Sequence, residues 1–496
     1  MILSKNQINR YLRHIIIPEI SGPGQKRLLE SKIYLYASNV QEASSLIYYL
    51  AASGIGHISC SFKDDNGYDE LCKNIKDLNE DVVVALIDNE LPIVRSNSLS
   101  YEDFEIRILI SNCEDLESIS RRSSSSQTTS EFIPTIVAIN SGWKGILRTF
   151  CNEVDFNSLI TNPLNLDFNP LHNKTYDKES NILSHNLLEA LTTIECIKLC
   201  LNIGTVLDKP LFFDLLPMLF YKSDKKLTNS AITDFFKDSY SDNQLSLNLE
   251  KNKNTKKLSD SKVLIVGTGG LGSPVAFALA SLGIGTIGLV DYDKVEISNL
   301  NRQILHSTSR IDMPKVDSAE VFIKNINSNI KVVTYNTDIN VNNAKDIIKD
   351  YDVIIDGVDN FPARYLLNDF CFFLNKPLVD AAAVKFHGLI MTILPNEGPC
   401  YRCVFPVTPE QNNVMSCSES GVLGPVPGVM GFIQAAEVVK LLIGASETLC
   451  NRIIYYDALD CDFDFINTNK SPKCNLCGAH PTITTPVEYT NSCEII

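Results

Sequence analysis

The sequence lacks the features that would mark a membrane, secreted or nucleic-acid-coating protein. It has no run of eighteen apolar residues, and its first residues, MILSKNQINRYLRH, have no apolar core like that of a signal peptide. It also has no excess of positive charge, since its formal net charge is -15. Binding to nucleic acid depends on neutralising phosphates, so this charge argues against such a partner. We therefore expect a cytoplasmic protein with neither a membrane nor a nucleic-acid partner.

The chain is nevertheless too long for one hydrophobic core. It has 496 residues, of which 44% are apolar and 21% charged, as is typical of a soluble globular protein with several domains. Its 15 cysteines do not indicate a disulfide framework in a chain of this size. In a reducing compartment they are buried thiols, metal ligands or nucleophiles.

The sequence contains a tandem duplication. SKIYLYASNVQEASSLIYYLAASGIGHISCSF, which begins at Ser31, aligns with SKVLIVGTGGLGSPVAFALASLGIGTIGLVDYD, which begins at Ser261, if one inserted residue is allowed. Paired segments continue to the end of each half, where PLFFDLL (210–216) matches IIYYDAL (453–459). Apolar strands that alternate with helices predict a mainly parallel sheet. We therefore expect an α/β protein with two tandem Rossmann-like domains.

The same comparison predicts the domain boundaries. Residues 1–240 form the first predicted domain and residues 261–496 the second. The polar stretch 241–260 between them is interpreted as a linker. Residues 118–131 and the Asn-rich stretch 161–181 are interpreted as loops.

A glycine-rich turn in the second copy is a candidate phosphate-binding site. In VGTGGLGSP, Gly267, Gly269, Gly270 and Gly272 follow a strand and precede a helix. A backbone without side chains can approach phosphate oxygens, and the first turn of the helix offers N–H groups. Asp291 ends the next strand, where an acid can bind ribose hydroxyls. This pattern fits NAD or ATP, and a closely packed turn without a ligand is the alternative.

The residues that follow favour ATP. SNLNRQILHSTSRIDMPK places Asn299, Arg302 and Lys315 beyond the ribose acid, and two cations suit a triphosphate better than an uncharged nicotinamide. Solvated surface cations are the alternative. Asp359, in DGVDN, ends another apolar strand and is a candidate magnesium ligand. Its alternative role is the N-cap of the helix that opens at Phe361.

Two C-x-x-C pairs predict a metal site. They occur in GPCYRCVFP and SPKCNLCGAHP and supply Cys400, Cys403, Cys474 and Cys477. Four thiolates can close a tetrahedral structural zinc site. A redox role is the alternative, but neither pair lies at the βα turn that a thioredoxin-like motif needs.

Taken together, these motifs resemble those of one family. VGTGGLGSP, DYDKVEISNLNRQ, MPK, DGVDN, GPCYRC, SCSESGVLGPVPGVMG and CNLCGAHPTIT are similar in order and spacing to the ThiF/MoeB/HesA family of adenylating enzymes. That family includes the catalytic halves of ubiquitin-activating enzymes. The resemblance is strong over about 261–485 and degenerate over about 5–216.

The resemblance implies an activity and its cofactors. In this family the C-terminal carboxylate of a small ubiquitin-like or sulfur-carrier protein attacks the α-phosphate of ATP, giving an acyl-adenylate and pyrophosphate. Some members adenylate a precursor peptide instead. ATP, Mg²⁺ and Zn²⁺ are the implied cofactors. An NAD-binding oxidoreductase and a non-catalytic binding protein are the alternatives from other classes.

The resemblance also implies a role for each motif residue. Asp291 would contact the ribose and Asp359 would bind magnesium. Phosphate contacts would come from Asn299, Arg302 and Lys315. In some members a cysteine at the position of Cys417, in MSCSESG, forms a thioester or acyl-disulfide with the carrier. A loop thiol without this role is the alternative for Cys417.

A segment that occurs once explains why a degenerate copy is retained. Homodimeric family members have a segment resembling RYLRHIIIP, which lends an arginine to the partner's site. Here it occupies residues 10–18, ahead of the first copy, and nothing like it precedes the second. The resemblance thus implies that Arg13 reaches the nucleotide site of the second copy. The chain would be an intrachain pseudo-dimer, either as a monomer or as a homodimer of such chains.

The first copy has lost the residues that would bind a nucleotide. Ala37, Asn39 and Glu42 stand where the second copy has its glycines, and Phe62 stands where it has the ribose acid. A glutamate would repel phosphate, and side chains on the turn would block its approach. We predict that the first copy does not bind ATP productively.

Overall fold

A computed structural model describes residues 3–87, 104–112, 132–160, 177–237, 257–407, 420–445 and 447–487. Within these ranges the chain forms two eight-stranded sheets, one in each half of the sequence. The first sheet is built from β1 (Lys32–Asn39), β2 (His57–Asp64), β3 (Val83–Leu86), β4 (Ile106–Asn112), β5 (Thr135–Ser141), β6 (Lys144–Phe150), β7 (Leu211–Asp214) and β8 (Leu219–Lys222). The described helices of this half are α1 (Lys5–Arg10), α2 (Leu12–Ile15), α3 (Ser21–Glu30), α4 (Ser44–Ser53), α5 (Tyr68–Leu78), α6 (Glu153–Ile160), α7 (Asp177–Leu201) and α8 (Asn229–Lys237).

The second half repeats this arrangement. Its strands are β9 (Lys262–Val266), β10 (Thr286–Val290), β11 (Lys331–Tyr335), β12 (Val353–Asp356), β13 (Leu378–Val384), β14 (His387–Ile393), β15 (Arg452–Asp457) and β16 (Asp462–Asn467). Its described helices are α9 (Gly272–Leu282), α10 (Lys315–Ile326), α11 (Ala344–Ile348), α12 (Phe361–Leu374), α13 (Tyr401–Val404) and α14 (Pro425–Ile443).

The two sheets have the same topology. Their strand orders are β3-β2-β1-β4-β5-β6-β7-β8 and β11-β10-β9-β12-β13-β14-β15-β16. In each sheet the first five strands pair in parallel and the last three join as antiparallel neighbours. The prediction of two tandem Rossmann-like domains is confirmed.

Strand register also supports the alignment of the glycine turn in the second copy with residues 37–42 of the first. In the second half, Val266 of β9 pairs with Val290 of β10, and the strand pairing ends there, just before Gly267. In the first half, β1 does not end at the equivalent point. It continues through Ala37, which pairs with Phe62, as far as Asn39. Residues with side chains have thus extended the strand where the glycines of the other copy form a turn.

The connection after the second strand differs most between the halves. In the first half, β2 is joined to α5 by residues 65–67. In the second half, β10 is joined to α10 by residues 291–314, which include Asp291, Asn299 and Arg302. We call this segment the β10–α10 loop. The first half therefore has no equivalent of the segment that supplies the predicted phosphate and ribose contacts.

One hydrophobic core cluster spans both halves, and each half has a further cluster of its own. Helix α7 packs against α14, and Tyr49 of α4 meets the ring of Phe432 edge-on with the ring centroids 6.2 Å apart. By length and composition α14 could cross a membrane, but 94% of its most apolar window is buried inside the protein. It is thus a core helix of the interface between the halves, and the pseudo-dimer arrangement is confirmed.

Two buried ion pairs occupy equivalent places in this core. Glu195 and Lys198 on α7 lie 2.5 Å apart, as do Glu437 and Lys440 on α14. Each glutamate also accepts hydrogen bonds from a threonine hydroxyl and a leucine N–H: Thr149 and Leu207 for Glu195, and Thr392 and Leu449 for Glu437. A buried charge needs such partners to offset its desolvation. The repeated arrangement is a further trace of the duplication.

The loop predictions require one correction. Residues 177–181, predicted as part of a loop, form the first turns of α7. Ser180 is buried there, so packing against the core outweighs the polar composition. Residues 118–131, 161–176 and most of the predicted linker lie outside the described residues, and the end of that linker includes a short turn at Leu258–Asp260.

Candidate functional site

Two of the four glycines in the turn are required by packing. Gly267 has a φ of +91°, and a Cβ built there would lie 2.6 Å from the Gly357 carbonyl oxygen. A Cβ at Gly272 would lie 2.0 Å from the carbonyl oxygen of Gly267. These contacts are with backbone, which cannot move aside, so both positions need glycine.

The other two glycines border more open space. A Cβ at Gly269 would have its nearest contact at 3.4 Å, with the side chain of Gln303. A Cβ at Gly270 would lie 3.3 Å from Pro427, at the start of α14, and 3.8 Å from Cδ of Arg302. The turn therefore presents bare backbone directly beside a guanidinium side chain. Such an arrangement suits an anionic ligand.

Asp291 links the turn to the end of β10. Its Oδ2 accepts hydrogen bonds from Thr268 N at 2.8 Å and from Thr268 Oγ1 at 2.9 Å, while its Oδ1 accepts one from Asp293 N at 2.9 Å. The carboxylate thus lies next to the turn, as predicted. Its contact with ribose remains a prediction.

Lys315 lies at the site with a partner that the sequence analysis missed. It begins α10 directly after Pro314 and is 7% exposed. Its Nζ lies 2.7 Å from Oδ2 of Asp293. The D-x-D spacing of Asp291 and Asp293 was the available signal for this second acid. Asp293 thus balances the charge that we predicted would face phosphate.

Arg302 and Asn299 are both held by their own loop. Arg302 Nη1 donates to the Ser298 carbonyl oxygen at 2.8 Å and to Asn301 Oδ1 at 3.0 Å. Asn299 is buried, and its Oδ1 accepts a hydrogen bond from Glu296 N at 3.0 Å. Asn299 thus orders the turn that leads to Arg302. Its contact with phosphate remains a prediction.

Asp359 is not the helix cap that was its alternative role. Asn360 caps α12 instead, because its Oδ1 accepts a hydrogen bond from Ala363 N at 2.9 Å. Asp359 lies close enough to Tyr292 to contribute to the raised pKa of its phenol, after the larger effects of Asp293 and burial. Among the described residues, the one group of three or more thiol, imidazole or carboxylate side chains close enough to hold a metal ion is the four-cysteine cluster, so no carboxylate cage is formed here. Mg²⁺ in a nucleotide site can be held by one carboxylate together with the phosphates, and this role of Asp359 remains a prediction.

His306 is a buried part of the site that sequence reasoning did not single out. Its Nε2 donates to the Thr268 carbonyl oxygen at 3.2 Å, and its Nδ1 accepts from Ser318 Oγ at 2.9 Å. Burial, with the nearby charges of Lys315 and Arg310, lowers the pKa of His306 to about 3. The neutral imidazole thus connects the glycine turn with α10, which carries Lys315.

The N-terminal segment of the first half lies against the second half. The Arg13 carbonyl oxygen accepts a hydrogen bond from Val422 N at 3.2 Å, and a Cβ at Gly421 would lie 2.6 Å from that oxygen. His14 Nε2 accepts from Gly424 N at 2.9 Å. Burial, together with the charge of Arg302, lowers the pKa of His14 to about 4. The chain around Arg13 is therefore fixed within electrostatic range of Arg302.

The sequence of this half is similar to a known family. Residues 241–476 match the ThiF family. The chain is 48% identical over 239 residues to adenylyltransferase and sulfurtransferase MOCS3 of Dictyostelium discoideum, covering 48% of this chain and 56% of that protein. It is 44% identical over 230 residues to MOCS3-1 of Zea mays, covering 46% and 49%.

The chain thus spans about half the length of the curated relatives it matches. Among solved structures, MccB of E. coli in complex with MccA-N7isoASN aligns with a TM-score of 0.40 and 26% identity. That alignment covers 47% of this chain and 70% of the MccB chain.

Four cysteines of the second half form a cluster. The sulfurs of Cys400, Cys403, Cys474 and Cys477 all lie within 4.8 Å of one another. Four of the sulfur–sulfur distances are 3.9, 3.6, 3.2 and 3.4 Å. A tetrahedral zinc site with Zn–S bonds near 2.3 Å has sulfurs about 3.8 Å apart. The predicted donor set therefore comes together at a spacing that fits the metal.

In the first half, side chains fill the place that corresponds to the glycine turn of the second half. His185 Nε2 contacts the backbone oxygen of Glu42, and Ser45 Oγ donates to Glu189 Oε2. Burial lowers the pKa of His185 and raises that of Glu189 well above its usual value. The place beside the glycines of the second half thus corresponds to a buried polar cluster in the first half. Phe62, which replaces the ribose acid, is buried against this half's core.

Cys417, the predicted nucleophile, lies outside the described residues. The described chain resumes at residue 420, immediately before the segment that contacts Arg13 and His14.

Proposed function

We propose that the chain is an ATP-dependent adenylyltransferase that activates the C-terminal carboxylate of a small ubiquitin-like or sulfur-carrier protein. The observation that carries this proposal is the convergence of bare glycine backbone, Arg302 and the Asp293–Lys315 pair beside the ends of β9 and β10. The names of the MOCS3 relatives, which are adenylyltransferases and sulfurtransferases, support the adenylation and are consistent with a substrate that takes part in sulfur transfer. A cytoplasmic location is part of the same proposal.

Each site residue has a proposed role in this reaction. The carrier carboxylate forms a bond to the α-phosphorus of ATP while the bond from that phosphorus to the β-bridging oxygen breaks, so pyrophosphate leaves. Arg302 and Lys315 bind phosphate oxygens, with Lys315 exchanging Asp293 for the ligand. Attack of an anion on a polyphosphate brings like charges together, so such cations stabilise the transition state. Mg²⁺ held by Asp359 would supply further positive charge at the phosphates.

The two halves then have different tasks. We propose that residues 1–240 act as a non-binding scaffold that supplies Arg13, and that residues 261–496 perform the chemistry after the linker 241–260. Asp291 would bind the ribose, and Asn299 would support the phosphate contacts. In a later step the Cys417 thiolate would attack the carbonyl carbon of the acyl-adenylate, so that a thioester forms and AMP leaves. A single chain already contains a paired interface, so we propose that it acts as a monomer.

Pyrophosphate exchange tests the proposed activity. Purified protein, ATP and Mg²⁺ should exchange labelled pyrophosphate into ATP only when a sulfur-carrier protein with a free C-terminus is present. The Arg302→Ala variant should lower the exchange rate by about 100-fold, because one charged donor to the reacting phosphates is lost. Lys331→Ala is the matched control, since Lys331 is an exposed cation at the start of β11, away from this site.

Three results would contradict this proposal. Turnover of NAD without exchange would indicate an oxidoreductase. A function that persists in Arg302→Ala while no exchange occurs with any carrier or peptide would indicate a non-catalytic binding protein. Exchange with a short peptide but not with any carrier protein would keep adenylation and change the substrate class.

A further inference from the structure

The first half contacts the β10–α10 loop at a point that the proposed reaction does not use. Asp77, in the last turn of α5, accepts hydrogen bonds from Ser309 N at 2.9 Å and from Ser309 Oγ at 2.6 Å. Arg10 is buried beside it and donates to the Leu78 carbonyl oxygen at 2.6 Å and to Thr308 Oγ1 at 3.0 Å. Two charged side chains of the first half thus hold two consecutive residues of the second.

These two residues lie between the predicted phosphate ligands. Thr308 and Ser309 follow Arg302 in the β10–α10 loop and precede Lys315. The next residue, Arg310, donates to the Ser318 carbonyl oxygen of α10 at 2.5 Å. A displacement at Ser309 would therefore be transmitted through Arg310 to the helix that begins with Lys315.

Backbone hydrogen bonds join residues near the two ends of the β10–α10 loop to each other. Val295 N donates to the Met313 carbonyl oxygen and Asp312 N to that of Val295, both at 2.9 Å. These bonds fix where the loop leaves and rejoins the domain, but they leave the position of its outer part to other contacts. Asp77 and Arg10 supply contacts there.

The electrostatics of Asp77 fit this role. Burial alone would raise the pKa of its carboxyl, but hydrogen bonds from Ser309 and Ser307 and the charge of Arg310 outweigh burial, so the pKa is lowered. The carboxylate is therefore stabilised in its charged form by the loop itself. Within the described residues, the second half makes no equivalent contact with a loop of the first, because the first half has only residues 65–67 between β2 and α5.

We propose that Asp77 and Arg10 are positioning residues that hold the β10–α10 loop in the geometry that binds ATP. This inference rests on the proposed function, since ATP is the ligand it concerns. It assigns the degenerate half a second task in addition to supplying Arg13. The first half would determine the affinity of the second for its nucleotide from outside the site.

A double-mutant cycle tests this inference. We expect Asp77→Ala and Ser309→Ala each to raise the dissociation constant of Mg-ATP by about 3- to 10-fold, as measured by titration calorimetry without carrier protein. The double variant should be no weaker than the weaker single variant, because both changes remove the same contact. The KM for the carrier should not change. Asp77→Asn, which keeps one acceptor, should be intermediate.

The controls separate positioning from stability. Lys73→Ala changes an exposed residue on the same helix and should leave ATP affinity unchanged. A contact with only a structural role would lower the melting temperature of Asp77→Ala without changing the ATP affinity of the folded protein, and that result would overturn the inference. Additive losses in the double variant would also overturn it. If the unmodified protein binds no ATP, the proposed function fails together with this inference, whereas normal binding with unaffected variants rejects the inference alone.

Discussion

The Arg13→Ala variant is expected to exchange pyrophosphate about 100- to 1,000-fold more slowly than the unmodified protein. Arg13 would add positive charge at the phosphates from the opposite half, where it can act on the charge that develops as pyrophosphate leaves. The adjacent backbone is held by Val422 and Gly421, and the neighbouring ring of His14 is held by Gly424. Little reorganisation would thus be needed to bring this charge to the site.

The measurement needs both a rate and a test of folding. Exchange should be followed at saturating ATP and carrier, and melting should be compared in the same buffer. Arg27→Ala is the matched control, because Arg27 is an exposed arginine of the first half paired with Glu105 at the surface. Exposed pairs of this kind contribute little to stability. Equal rates for Arg13→Ala and Arg27→Ala would remove the argument that the first half completes the site.

Loss of the metal is expected to have the second large effect. We expect about one zinc ion per chain, retained in the presence of a chelator, and its loss in the Cys474→Ser variant. The cluster ties α13 to the segment near residue 477, and α13 is also held by the buried pair of Arg402 with Asp369, at 2.8 and 2.9 Å. Structural zinc in small domains provides binding free energy on the order of 10 kcal/mol. The variant should therefore unfold at a clearly lower temperature.

Metal analysis and thermal unfolding check this expectation together. Cys151→Ser is the control, since Cys151 is exposed in the first half and remote from the cluster in sequence. It should keep the zinc content and the melting temperature of the unmodified protein. Fully active protein without zinc would contradict a structural metal, and a redox role for the pairs would then return.

Local patterns in the sequence were sufficient to predict much of this molecule. The duplication predicted both sheets because strand and helix periodicity is set by neighbouring residues. The glycines predicted the turn, and the C-x-x-C spacing predicted the cluster, since both depend on residues close in sequence or on fixed ligand chemistry. Asp293 could have been found from its spacing to Asp291.

Other parts of the site depend on contacts that no local pattern contains. His14 meets Gly424, and Asp77 meets Ser309, across hundreds of intervening residues. The helical start of α7 was mistaken for a loop because the composition of the stretch is polar, whereas Ser180 is buried in the folded chain. Sequence reasoning therefore identified the residues of each half but not the contacts through which one half fixes the other.

The three-residue connection at 65–67 also sets the stoichiometry of the chain. A symmetric pair of copies would activate two substrate molecules, whereas this chain should bind one nucleotide at saturation. Substitutions alone could not return the second centre, because an entire connecting segment would have to be inserted. If the first half binds no nucleotide, as we propose, its surface does not need to receive a carrier of its own.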